Sequence, residues 1–208
     1  VPGALVLDIA TGTGRLPLAL FEQPAFRGRV IGVDASRSML EIAAQKLRGN
    51  EHRLMLLWRD ASSLPFADGA FDAVTVLEML EFTPDPATQL AEAVRVLRPG
   101  GILVTTRRRG WNAALMPGKT HSPDEFRALL ESLGLTRVEL LPWQVDYDLV
   151  WAVKPGHVPS GARHMLDVLH CPACRSAQWE EHPAELCCGV CHAAYPVKDG
   201  IIDIRGKQ

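Results

Sequence analysis

Short apolar runs alternate with longer stretches of helical period along the first three quarters of the chain. Residues 5–7, 29–34, 54–58, 73–77 and 102–106 are the apolar runs, each of a length that suits a strand buried on both faces. Between them, Met39, Leu40, Ala43 and Leu47 recur at helical spacing over 36–47, and Leu90, Val94 and Leu97 do so over 86–97. A shorter helix is predicted over 16–21. Another starts at Ser122: the serine is the N-cap, Pro123 takes the first helical position and Glu125 stands three residues after the cap. Phe126, Leu129, Leu130 and Leu133 form its apolar face, and Gly134 ends it. Residues 138–141 and 147–153 read as two more strands, joined by so short a link that they pair antiparallel. Residues 107–119 carry no period and read as a loop.

Strands that alternate with helices imply an α/β fold with a parallel sheet and helices on both faces. Ligands of such sheets bind beyond the carboxyl ends of the strands. Asp8, Asp34, Asp60 and the turn after Leu77 all fall at those ends. Asp8 is followed by Thr11-Gly12-Thr13-Gly14 and then by a helix start. Glycine lets the backbone turn sharply and approach a ligand closely, and the first turn of a helix offers N–H groups to an anionic group. Pro17 stands where a dinucleotide turn carries its third glycine, so the pattern is not that of a dehydrogenase. Asp34, about 20 residues past the turn, is placed to accept both hydroxyls of a ribose. Its plain alternative is a strand-end acid that caps the next helix.

Composition sets limits on partners. The chain has 208 residues, enough for one ordinary domain and a small module, and a formal net charge of −2, which speaks mildly against a sequence-neutral nucleic-acid binder. It has no apolar run of membrane-spanning length and no signal-peptide pattern, and a cytoplasmic protein is expected. Val1 stands directly before a strand, which suggests that a segment precedes it. Beyond a proline- and glycine-rich linker all five cysteines follow residue 170, in the pattern Cys171-x2-Cys174, thirteen residues, Cys188-x2-Cys191. Two such knuckles present four thiolates to a structural zinc ion, with no position left open for catalysis. A pair of disulfides is the rival reading, and Cys187 could replace Cys188, although Cys188 restores the two-residue gap. The boundaries expected are a first domain over 1–154, a linker over 155–164 and a zinc ribbon over 165–208.

The set VLDIATGTG, IGVDAS, RDASSLPFADGAFD, LEMLEFTPDP and LRPGG, with the terminal strand pair, resembles the class I S-adenosylmethionine-dependent methyltransferases over residues 1 to about 154. The form with Ala10 in the glycine turn is similar to the ubiquinone and menaquinone biosynthesis C-methyltransferases, although the stretch after the fourth strand departs from them. The resemblance implies a Rossmann-like sheet of seven strands with S-adenosyl-L-methionine at its carboxyl ends. Asp8 and the backbone of Ala10, Thr11, Gly12 and Gly14 would hold the methionine end. Asp34 would take the ribose, Ala35 and Met39 would flank the adenine, Asp60 with Ala61 beside it would accept from the adenine amine, and the backbone around Leu77 would close over the sulfonium. The stretch Tyr195-Pro-Val-Lys-Asp-Gly-Ile201 resembles the zinc-ribbon activator subunit of tRNA and release-factor methyltransferases, which implies that the ribbon packs on the first domain.

Positioning supplies much of a methyl transfer, but a carbon, amine or hydroxyl acceptor also calls for a base near the methyl. Glu78, Glu81 and His121 are the candidates, against the alternatives of solvated glutamates and a structural histidine. Glu81 is followed by Phe82 where many relatives carry histidine, which removes a possible base or metal ligand. Arg107, Arg108 and Arg109 would meet an anionic acceptor or form a solvated loop, and Trp111 and Trp143 would line an acceptor pocket or pack in the core. The function expected is methyl transfer to a small molecule. The alternatives are an RNA or translation-protein methyltransferase that docks its substrate with the ribbon, and a binding protein that kept the fold and lost the reaction.

Overall fold

The computed structural model describes residues 3–114, 116, 120–158 and 164–205. Five parallel strands form the centre: β1 (Leu5–Ile9), β2 (Arg29–Asp34), β3 (Leu54–Trp58), β4 (Phe71–Val76) and β5 (Leu97–Arg108). Helices α1 (Arg15–Phe21), α2 (Arg37–Lys46) and α3 (Pro86–Val96) lie between them, and α4 (Trp111–Ala114) and α5 (Pro123–Ser132) follow β5. β6 (Thr136–Gln144) and β7 (Tyr147–Val153) form the antiparallel pair, with β7 laid along β5. Every residue of β1 is buried, as a strand covered on both faces requires. Ser36 and Ser122 cap α2 and α5, and the capping box of α5 is complete in both directions.

The expectation of a seven-stranded sheet is corrected to eleven strands, in the order β6-β7-β5-β4-β1-β2-β3-β11-β10-β9-β8. The four additional strands are β8 (Trp179–His182), β9 (Glu185–Cys188), β10 (Ala194–Lys198) and β11 (Ile201–Asp203), all from the cysteine-bearing segment. Asp199 and Gly200 both have positive φ, the two-residue hairpin turn whose twist matches its strands. That turn sends β11 back parallel to β3, with Ile201 opposite Leu56, Ile202 opposite Leu57 and Asp203 opposite Trp58. The edge of β3 is thus covered from within the chain.

Two other boundaries differ from the pattern. The expected break at Arg98-Pro-Gly-Gly101 is instead the start of β5, because Leu97 is already extended and pairs with Phe71 before a shift in register. The expected loop over 107–119 begins as strand, since Arg107 and Arg108 stay in register with Asp148 and Tyr147, and it then forms α4. Residues 115 and 117–119 of that stretch, and 159–163 of the linker, lie outside the described residues.

The two halves share cores as well as a sheet. Ile201 is fully buried with Leu40, Ala43, Leu47 and Leu56 of α2 and β3. Val168, Leu169, Leu186, Tyr195 and Ile204 join the main cluster, where Leu57, Leu64 and Phe66 also lie. Two backbone bonds, Ala67 N–H to Val168 O at 3.2 Å and His170 N–H to Pro65 O at 2.7 Å, tie the entry of the cysteine-bearing segment to the turn before β4. Ile201→Ala leaves a hole in a core shared by both halves. It should lower the unfolding free energy by about 2–4 kcal/mol in urea titration, whereas Ile42→Ala, at a half-exposed position, should change it by less than about 0.5 kcal/mol. Equal effects would show that β11 is not part of the core.

Candidate cofactor site and cysteine cluster

The turn between β1 and α1 is gripped by two carboxylates. Asp34, at the end of β2, accepts from Gly12 N–H at 2.8 Å and from Ser36 N–H at 2.8 Å, so it holds both the glycine turn and the entry to α2. Asp8 lies beneath the turn and is buried. Its Oδ2 accepts from Thr11 Oγ1 and its Oδ1 from Thr75 Oγ1, each at 2.6 Å. Burial, with the nearby Asp34 charge adding to it, pushes the Asp8 carboxyl up to about 6 against the two hydroxyls that pull it down. Asp8 therefore reaches the site through Thr11 and Thr75.

The two glycines of the turn serve different ends. A Cβ on Gly14 would strike Leu47 Cδ1 at 2.7 Å, so this glycine lets α1 pack on α2. A Cβ on Gly12 would meet only Ala10 O, at 3.9 Å; there the need is the positive φ of 55°, and the space above the turn is open. Ala10 and Glu78 also have positive φ, 57° and 53°, a strained geometry for residues with a Cβ. Ile9 pairs with Val76, so Ala10 and the Leu77–Glu78 segment leave the sheet side by side. Glu78 is fixed there by its N–H to Thr106 Oγ1 at 2.7 Å, and its carboxylate accepts from Gln144 Nε2 at 3.2 Å.

The remaining candidates lie around this centre. Ala35 and Asp60 line one cavity of about 360 Å³, with Arg59, Ser62, Ser63 and Arg205. Asp60 accepts from Ser62 N–H at 2.7 Å, and Ala61 is buried next to it. Met39 is exposed on the first turn of α2, where its N–H meets the Ser36 cap. Glu81 is not solvated: it is buried and bound by the Tyr147 hydroxyl and by Arg108 Nη1 at 3.1 Å. Burial and this acid push the Tyr147 phenol up. His121 lines a small pocket with Glu81, and its ring centroid is 6.0 Å from that of Phe126. A larger cavity of about 940 Å³ lies between α2 and the ribbon, toward the amino ends of β3 and β11 and away from these residues.

The three arginines after β5 are engaged within the chain. Arg107 and Arg109 both pair with Asp148, and Arg108 pairs with Glu81. Trp111 is 88% and Trp143 45% exposed, so neither belongs to the core. The roles of Thr75, Tyr147 and Asp148 were not foreseen: each depends on a strand partner that the sequence leaves unspecified.

The cysteine segment builds two knuckles of the same shape. Cys171 O accepts from Arg175 N–H at 2.8 Å and Cys188 O from His192 N–H at 3.0 Å, and Arg175 and His192 both have positive φ. The Sγ atoms of Cys171, Cys174, Cys188 and Cys191 all lie within 4.8 Å of one another, with Cys171–Cys191 at 3.6 Å and Cys174–Cys188 at 3.5 Å. The edge of a tetrahedron of thiolates around zinc is about 3.8 Å for Zn–S bonds of about 2.3 Å. The two short separations lie near that edge, and all four thiols are within reach of one ion. Cys187 faces away, with its Sγ 3.5 Å from Glu185 Oε1.

A parallel sheet in the order β5-β4-β1-β2-β3, an antiparallel pair after β5 and a glycine turn after β1 together make a fold that solved methyltransferase structures share. Residues 7–105, just under half of the chain, match the family described as Methyltransferase domain. Its relatives include a demethylmenaquinone methyltransferase of Lactococcus lactis, 44% identical over 103 residues, which are 49% of this chain and 41% of that protein. The same named protein of Desulfitobacterium hafniense is 39% identical over 106 residues, 50% of this chain and 42% of the relative. The chain spans about two fifths of the length of these relatives. Among solved structures, a SAM-dependent methyltransferase of Aquifex aeolicus superposes with a TM-score of 0.60 at 23% identity, covering 74% of this chain and 83% of the other. The complex of the Haloferax volcanii Trm112 methyltransferase activator with a putative methyltransferase gives 0.62 at 23% identity, over 74% and 84%.

Asp8 binds its proton more tightly folded than unfolded. This group therefore favours the fold most below pH 4, and that support is lost as pH rises through about 6, on the order of 3 kcal/mol in all. Asp8→Asn keeps both threonine contacts in reach and removes the charge. Its unfolding free energy relative to the parent protein should rise between pH 4 and pH 7.5; a difference that does not vary with pH would refute the buried charge.

Proposed function

We propose that the chain transfers a methyl group from S-adenosylmethionine to a small-molecule acceptor. The observation that carries this reading is the open glycine turn latched to Asp34, beside two strained residues at the ends of β1 and β4. Gly12 and Thr11 would cradle the methionine end by their backbone, with Asp8 positioning Thr11 from below. The Asp34 carboxylate, preset by two N–H donors, would accept the ribose hydroxyls, and Ala35, Met39 and Asp60 would bound the adenine. When bound, S-adenosylmethionine supplies a methyl already activated on sulfonium, so orientation carries much of the rate.

Of the two acids in the turn after β4, Glu78 suits a base better than Glu81, whose carboxylate is spent on Arg108 and Tyr147. Gln144 holds Glu78 Oε1, which leaves Oε2 to receive a proton from the acceptor. His121 remains second to it, with its ring against Phe126. The name of the relatives supports a quinone-like acceptor, and the exposed Phe82, Trp111, Trp143 and Val145 supply apolar surface of the kind such a ring would need. An RNA acceptor gains little from Arg107, Arg108 and Arg109, which are paired within the chain with Asp148 and Glu81. We assign Cys171, Cys174, Cys188 and Cys191 to a structural zinc ion, since four thiolates leave no position for a substrate.

Calorimetric titration of the zinc-loaded chain should show binding of S-adenosylmethionine and none of NAD, and Asp34→Ala should weaken that binding about tenfold or more. Unchanged affinity in Asp34→Ala would remove the site assignment, and no binding to the parent protein would favour a fold that has lost the reaction. For the metal, chromogenic assay of zinc released by a thiol reagent should find a single ion in the parent protein and in Cys187→Ser, and none in Cys188→Ser. The reverse result for the two variants would exchange the ligand.

A further inference from the structure

We propose that Arg205, supplied by the ribbon, forms the outer wall of the adenine end of the cofactor site, so that the ribbon completes this site in cis. The inference rests on the cofactor reading above and concerns the same cavity. That cavity is lined by Ala35, Arg59, Asp60, Ser62 and Ser63 from the methyltransferase half and by Arg205 from the ribbon. The direction of β11 is the cause. Because it runs parallel to β3, its carboxyl end falls on the side of the sheet where Asp34 and Asp60 lie. An antiparallel β11 would have brought the turn at Asp199 and Gly200 there instead.

The guanidinium is held in place by three kinds of contact. Arg205 Nε and Nη2 donate to the two oxygens of Asp203, at 2.9 and 2.8 Å. Its Cζ lies 3.2 Å from the centroid of the Trp58 ring. The backbone just before it is pinned, with Ile204 O accepting from Arg59 Nη1 at 2.7 Å and Ile204 N–H donating to Trp58 O at 3.3 Å. The Trp58 indole in turn donates to Ala35 O at 2.9 Å, directly after the ribose-binding candidate Asp34. A planar cation seated on an aromatic ring and tied at one edge to a carboxylate is preorganised to stack. A purine is the part of the cofactor that such a plane would recognise. Asp60, oriented by Ser62 N–H, offers its carboxylate to the purine edge in the same cavity.

The test is calorimetric titration of the full zinc-loaded chain with S-adenosylhomocysteine and, separately, with adenosine. Arg205→Ala should weaken both about tenfold, with zinc content and thermal midpoint close to those of the parent, because Ile201 and Ile202 still seat β11. Arg205→Lys keeps the charge and loses the plane, so it should behave like Arg205→Ala. Parent-like affinity in Arg205→Ala, full recovery in Arg205→Lys, or a loss that tracks zinc release would each overturn the proposal. Failure of the parent protein itself to bind S-adenosylhomocysteine would instead remove the cofactor reading, and this inference with it.

Discussion

The hydrogen bond from Gly12 N–H to the Asp34 carboxylate is the contact on which the candidate site depends. It joins the end of β1 to the end of β2, and the same carboxylate also fixes the first turn of α2 through Ser36. From below, Asp8 binds one threonine of the turn and one of β4, so three neighbouring strands are locked to one loop. An acid buried at this depth is costly, and its raised pKa measures that cost. The arrangement trades stability at neutral pH for a turn whose N–H groups cannot wander, which suits preorganised binding of a charged ligand.

The cysteine-bearing segment solves two problems with one strand. A parallel sheet ending at β3 would expose unpaired backbone along its edge. A module of about 40 residues has too little core to fold on its own burial and gains most from a metal or a partner surface. β11 meets both needs, since it pairs with β3 and places Ile201 into a pocket formed by α2 and β3. The thiol cluster then only has to join the knuckle at Cys171 and Cys174, before β8, to the one at Cys188 and Cys191, which starts at the end of β9.

Much of this was legible in the residues. The five apolar runs, the glycine turn and the capped helices depend on local spacing, and the C-x2-C pairs carry their geometry in their interval. What the pattern could not carry is which strand lies beside which. The count of seven strands failed because β11 has only three residues, and its partner lies far away in sequence. Arg98-Pro-Gly-Gly101 looked like a break because proline and glycine usually end an element, yet the pairing of Leu97 with Phe71 carries the chain straight into β5. Glu81, read as a candidate base with a solvated acid as the alternative, is bound instead by Tyr147 and Arg108, which come from β7 and β5.

The arginines after β5 show how charge is reassigned by such pairing. A run of three cations at the ligand side of a sheet suggests an anionic acceptor. Once β7 is laid along β5, Asp148 stands opposite Arg107 and takes up both Arg107 and Arg109, while Arg108 turns to Glu81. Two acids thus pair with three arginines, while Phe82 after β4 and Trp111 after β5 stay exposed. Arginines engaged in this way offer less to a phosphate than their number suggests. Phe82 belongs to the same account: where histidine would have added a base or a ligand, phenylalanine leaves an exposed ring in the turn after β4, so the turn's ionisable side chains reduce to Glu78 and the engaged Glu81.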